Sequence, residues 1–101
     1  MAFRRGEALE KANSLDKALA EYKAAAALGH AAANGKVQAI TTKLVDTYSR
    51  AARTALARED PEGSIRAWDR VLELSPGNQT AQLERQRALR IQNALEELKR
   101  K

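Results

Sequence analysis

Apolar side chains recur along this chain at steps of three and four, with polar side chains filling the positions between. In residues 2–12 the apolar positions are Phe3, Ala8, Leu9 and Ala12, near helical spacing. Asn13-Ser14 interrupts the pattern, and Ser14 suits the N-cap of a second helix. Leu15, Ala18, Leu19, Tyr22, Ala25, Ala26 and Leu28 then share one broad face. Gly29 stands where a residue of positive φ ends a helix. From Val37 the stripe Ile40, Leu44, Val45, Tyr48, Ala52, Ala55 and Leu56 runs unbroken to Glu59-Asp60-Pro61-Glu62-Gly63. This predicts a helix over about 37–58, roughly 33 Å long at 1.5 Å per residue, and a turn forced by Pro61 and Gly63. Residues 30–36 fit an extra turn of either neighbour, or a loop centred on Asn34-Gly35. Ile65, Ala67, Trp68, Val71, Leu72 and Leu74 mark a fourth helix, which Ser75-Pro76-Gly77-Asn78 terminates. A fifth runs from Thr80 to the end, with Ala81, Ala88, Ile91, Leu95 and Leu98 on a narrow heptad-like seam.

Composition strengthens the helical reading. The chain has 101 residues, 44% of them hydrophobic but only 4% aromatic, and 21 are alanine. A core of Ala, Leu, Val and Ile in closely packed helices follows, so the predicted fold class is all-α with about five helices. The length suits one domain. With no cysteine, a disulfide scaffold and a thiolate zinc site are excluded. No apolar run is long enough to span a membrane, and Met1–Gly6 begins no apolar segment of the kind a signal peptide needs.

The charge is 18 − 13 = +5. Residues 1–50 carry 8 basic and 5 acidic side chains and residues 51–101 carry 10 and 8, so the excess is spread along the chain. Local concentrations remain at Arg85, Arg87 and Arg90 and at Lys99-Arg100-Lys101. Such a balance admits nucleic acid, an anionic membrane surface or an acidic protein as partner. A solvated helical bundle gives the same number.

An internal repeat organises the helices. Gly6, Leu9, Ala18, Tyr22 and Ala25 are spaced 3, 9, 4 and 3 apart, and so are Ala52, Ala55, Ser64, Trp68 and Val71. Small residues fall where two helices must approach closely, and aromatics fall where a knob must fill the gap between them. Ala27-Leu28-Gly29-His30 and Glu73-Leu74-Ser75-Pro76 end the two copies in similar words.

This pattern resembles the tetratricopeptide repeat, a helix–turn–helix unit of about 34 residues. Ala52, Trp68 and Pro76 fall on signature positions. Ser64 and Val71 replace the usual alanine, and His30 replaces the usual proline in the first copy. The copies are offset by 46 residues rather than 34, which places 12 extra residues around positions 31–44. The resemblance implies a single helical-repeat domain over residues 1–101. Its first repeat is at about 2–34, an extended linker region at about 35–44, its second repeat at about 45–78 and a capping helix at about 79–101. It also implies a groove lined by the first helix of each pair: Arg4, Glu7 and Glu10, then Asp46, Ser49, Arg50, Arg53 and Leu56, then Leu83, Arg87, Arg90 and Ile91. The partner-binding set within it is Arg50, Arg53, Leu56, Leu83, Arg87 and Arg90, basic with apolar patches. Arginine binds carboxylates bidentately, so an acidic or extended peptide suits it. The family's carboxylate clamp needs Lys and Asn where Phe3 and Glu7 stand, so that particular activity is not expected.

Catalysis finds little support in the sequence. His30 is the sole histidine, which leaves no histidine pair, and it reads as a helix-end residue favoured by the C-terminal carbonyls. Ser14, Ser64 and Ser75 read as residues at helix ends, explained by capping. Asn34-Gly35-Lys36 lacks the flanking residues of a phosphate-binding loop. Tyr22 and Trp68 read as core knobs rather than stacking platforms. The expectation is a non-catalytic interaction module, without metal or cofactor, that binds a protein or peptide. Two alternatives stand beside it. One is a nucleic-acid binder using Arg85, Arg87, Arg90 and the basic tail, disfavoured because Glu84, Glu96 and Glu97 alternate with the cations. The other is self-association through the long helices, chiefly the seam of the last.

Overall fold

The computed structural model describes residues 1–100 and is all-α, with no strand among them. Five helices follow in order: α1 Ala2–Lys11, α2 Leu15–Ala27, α3 Ala31–Ala57, α4 Pro61–Leu74 and α5 Gln79–Arg100. Lys101, the last residue of the basic tail, lies outside the described residues. The chain divides into two compact units, Met1–Leu44 and the part from Val45 on, so α3 serves both with its two halves.

The open question at residues 30–36 resolves as helix. α3 begins at Ala31, and the His30 carbonyl accepts from the Ala33 amide at 3.0 Å. Three alanines outweigh Asn34-Gly35 here, because alanine costs nothing to hold in a helix. The helix is therefore 27 residues long, one and a half turns longer at its start than the apolar stripe alone indicates.

In the first unit Gly6, Ala18, Tyr22 and Ala25 are buried. Glycine is required at position 6 by proximity: a Cβ there would lie 2.7 Å from Cε1 of the Tyr22 ring. In the second unit Ala52, Trp68, Val71 and Ala81 form the buried cluster, with Val45, Tyr48, Ala67 and Leu72 packed against it. Each unit thus closes small residues over one large ring, and each ring removes about 150–250 Å² from water.

The 46-residue offset extends to the backbone. Asn13 and Glu59 both take positive φ, 61° and 63°. Around Asn13 the amides of Ala12, Asn13 and Ser14 donate to the carbonyls of Ala8, Glu10 and Leu9. Around Glu59 those of Arg58, Glu59 and Asp60 donate to Thr54, Leu56 and Ala55, the same pattern displaced by 46 positions. The Ser14 and Asp60 carbonyls each accept the first bond of the next helix, from Ala18 and Ser64. The same tight helix–turn–helix junction therefore occurs twice.

Three expectations need correction. Pro61 and Gly63 do not make the turn. They lie inside α4, Pro61 at its first position, and the left-handed residue is Glu59. Ser64 is no cap: it sits within α4, fully buried, its hydroxyl without a hydrogen-bond partner. The capping side chain is Asp60, whose Oδ1 accepts from the Gly63 amide at 2.9 Å, whereas Ser14 occupies the N-cap of α2 without a side-chain bond. Asn78 caps α5 in the manner of Asp60, through Oδ1 to the Ala81 amide at 2.9 Å.

Candidate partner-binding site

All six residues expected to bind a partner lie in the second unit, on two helices. Arg50, Arg53 and Leu56 are spaced by three along α3, so they form one stripe. Arg50 and Arg53 are exposed and Leu56 is half-buried. Arg50 pairs with Asp46 one turn earlier. The Arg53 guanidinium lies 5.6 Å from the Trp68 ring centroid, so it covers the buried indole while remaining open to solvent itself. Leu83, Arg87 and Arg90 follow α5 at steps of four and three. Leu83 is 65% exposed and lines a shallow depression of about 280 Å³ with Gln79, Gln82 and Gln86 of its own helix rather than with the arginines. Arg87 stands 3.8 Å from Glu84. The arginines of α3 and α5 thus form two separate stripes, and Glu84 and Asp46 partly offset their charge.

Charge on the rest of this unit is paired in place. Arg85 bonds to Asp69 between α5 and α4. Arg70 bonds to Glu73 at 2.7 Å and lies over the Tyr48 ring, 5.2 Å from its centroid. Of the three clustered arginines of α5, Arg85 is therefore committed to an interhelical bond.

The first unit holds two features that helical periodicity does not reveal. Glu10 sits under the Tyr22 hydroxyl, which donates to Oε1 at 2.8 Å, and Lys36 Nζ reaches the same oxygen at 3.4 Å. The Tyr22 bond, with help from Lys36, holds the Glu10 carboxyl below the usual carboxylate range. Burial, reinforced by Glu10, pushes the Tyr22 phenol up to about 12. Glu10 is thus tied into the packing of its unit. The second feature is an apolar cleft of about 680 Å³ lined by Met1, Phe3, Arg4, Glu7, Leu28 and His30. His30 does not simply end α2. Its ring stacks on Phe3, centroids 4.3 Å apart and 13° from parallel. The signal for it is weak in sequence, since it requires the start of α1 to lie beside the end of α2.

Among the described residues no group of three or more His, Asp or Glu side chains is placed to hold a metal ion, and no helix is long and apolar enough to cross a membrane. No protein-family model, no curated protein and no solved structure matches the chain.

Proposed function

We propose that this chain is a non-catalytic interaction module of the tetratricopeptide type, and that it binds an acidic protein or peptide through the arginine stripes of α3 and α5. The observation behind this reading is the repeated helix–turn–helix. The junctions at Asn13 and Glu59 have the same hydrogen-bond pattern at an offset of 46 residues. The equivalent pairs Gly6 and Ala52, Ala18 and Ser64, Tyr22 and Trp68, and Ala25 and Val71 are all buried. Repeats of this kind bury one face against their neighbours and leave the other as an extended surface for partners. Exposed Arg50, Arg53, Arg87 and Arg90 give that surface forks suited to carboxylates.

The test is affinity capture from a lysate of the source cells, with and without nuclease. Wild type is run beside the fourfold variant Arg50→Glu/Arg53→Glu/Arg87→Glu/Arg90→Glu. The expected result is a discrete protein that survives nuclease and is lost with the variant. Capture that disappears with nuclease makes the chain a nucleic-acid binder instead, and a protein retained by the variant moves the site away from the arginines.

A further inference from the structure

The seam of α5 leaves its own core turn by turn. Ala88 is buried, Ile91 half-buried, Leu95 39% exposed and Leu98 67% exposed. Length explains this, because α4 has 14 residues and α5 has 22. Gln92 of α5 already reaches the first turn of α4, its Nε2 3.2 Å from Glu62 Oε1. The remaining two turns of α5 overrun the start of α4 and carry their leucines into solvent. Leu95 and Leu98 are three apart, hence on one face, and the residues around them are charged or polar.

Where the overhang begins there is a cleft of about 270 Å³ whose walls include Glu59, Asp60, Glu62, Leu95 and Glu96. Four carboxylates meet there, with Lys99 the one cation lining it. The helix then ends in Lys99-Arg100. One surface therefore carries an apolar strip, an acidic cleft at one end of it and a basic helix end at the other. Such a surface is complementary to itself under a two-fold axis.

We propose that two copies of this chain associate through the overhanging end of α5, antiparallel. Leu95 and Leu98 of each copy pack on those of the other, and Lys99 and Arg100 of each lie against Glu59 and Glu62 of its partner. The antiparallel sense follows from charge. A parallel pairing would set Lys99-Arg100 against Lys99-Arg100, whereas the antiparallel one carries each basic end past Leu95 to the opposing acidic cleft. Both contacts then occur twice. Two leucines per copy cover far less than the roughly 800 Å² per partner of a standard interface, so the association is weak, and its ionic part is lost in high salt.

Sedimentation equilibrium of the 101-residue chain tests this, read as weight-average mass from about 10 µM to about 1 mM. Wild type is expected to rise from 11.1 kDa toward twice that mass. Two charge-reversed variants, Lys99→Glu/Arg100→Glu and Glu59→Lys/Glu62→Lys, are each expected to stay monomeric, because like charges then meet at both contacts. Mixed in equal amounts they are expected to dimerise again, since each reversed tail finds a reversed cleft. All four substituted residues are exposed, and circular dichroism checks that helix content is kept. A wild type that remains monomeric to the highest concentration overturns the proposal whatever the variants do. So does a mixture of two folded variants that remains monomeric while wild type dimerises.

Discussion

Tyr22 ties packing to protonation in the first unit. Its ring lies against Gly6 and its hydroxyl is bonded to Glu10. Gly6→Ala forces the ring aside. Overpacking costs about 1–3 kcal/mol and the helical gain of alanine returns up to about 1 kcal/mol, so urea unfolding should show a net loss. Glu10 has a folded pKa below its unfolded value. Its contribution is therefore complete above the usual carboxylate range and is lost as pH falls through the folded value. Tyr22 acts at the other end: raised from 10.0 to about 12, it contributes fully below the first value and loses its contribution as pH rises through the second. Tyr22→Phe should lower stability at neutral pH by about 1 kcal/mol and flatten the acid limb of a stability–pH profile. An acid limb as steep as wild type would dissociate the two groups. Ser64 gives the opposite sign. Its hydroxyl is buried without a partner, and the equivalent residue of the first copy is Ala18. Ser64→Ala should leave stability unchanged or raise it, by up to about 1 kcal/mol, in the same urea measurement.

The helices themselves were legible in the sequence because steps of three and four in a chain rich in alanine leave few other readings. Their junctions were less so. Asn13 announces a left-handed residue, since asparagine tolerates positive φ. Glu59 does not, and the adjoining Pro61 and Gly63 drew the turn two residues too far along. The start of α3 was hidden because Asn34-Gly35 has the composition of a turn, while the helix is set by the alanines before it. Of the candidate site, the spacing of Arg50, Arg53, Arg87 and Arg90 along their helices could be read directly. The commitment of Arg85 to Asp69, the cover of Trp68 by Arg53 and the stack of His30 on Phe3 could not, because each joins two helices. The junctions also make a paired prediction. Asp60→Ala removes a side-chain cap and should cost about 1 kcal/mol. Ser14→Ala, at the equivalent position without such a bond, should cost distinctly less. Thermal melts of the two variants compare them, and equal losses would contradict the difference between the caps.

At the scale of the whole molecule, two helix–turn–helix units share the long helix α3 and bury the same pattern of small residues around an aromatic. The charged side chains divide into those used internally, such as Glu10, Arg85 and Asp69, and those left exposed in stripes. The stripes of α3 and α5 and the overhanging end of α5 are different surfaces, so a partner and a second copy could be bound together. The account rests most heavily on the arginine stripes. Its most direct measurement is calorimetric titration of the captured protein into wild type and into the fourfold arginine-to-glutamate variant, at low and at high salt. The expected result is an affinity lowered at least about tenfold in the variant, equivalent to about 1.4 kcal/mol, with the wild-type affinity falling as salt rises. Equal affinities for the two chains would contradict the proposed binding surface.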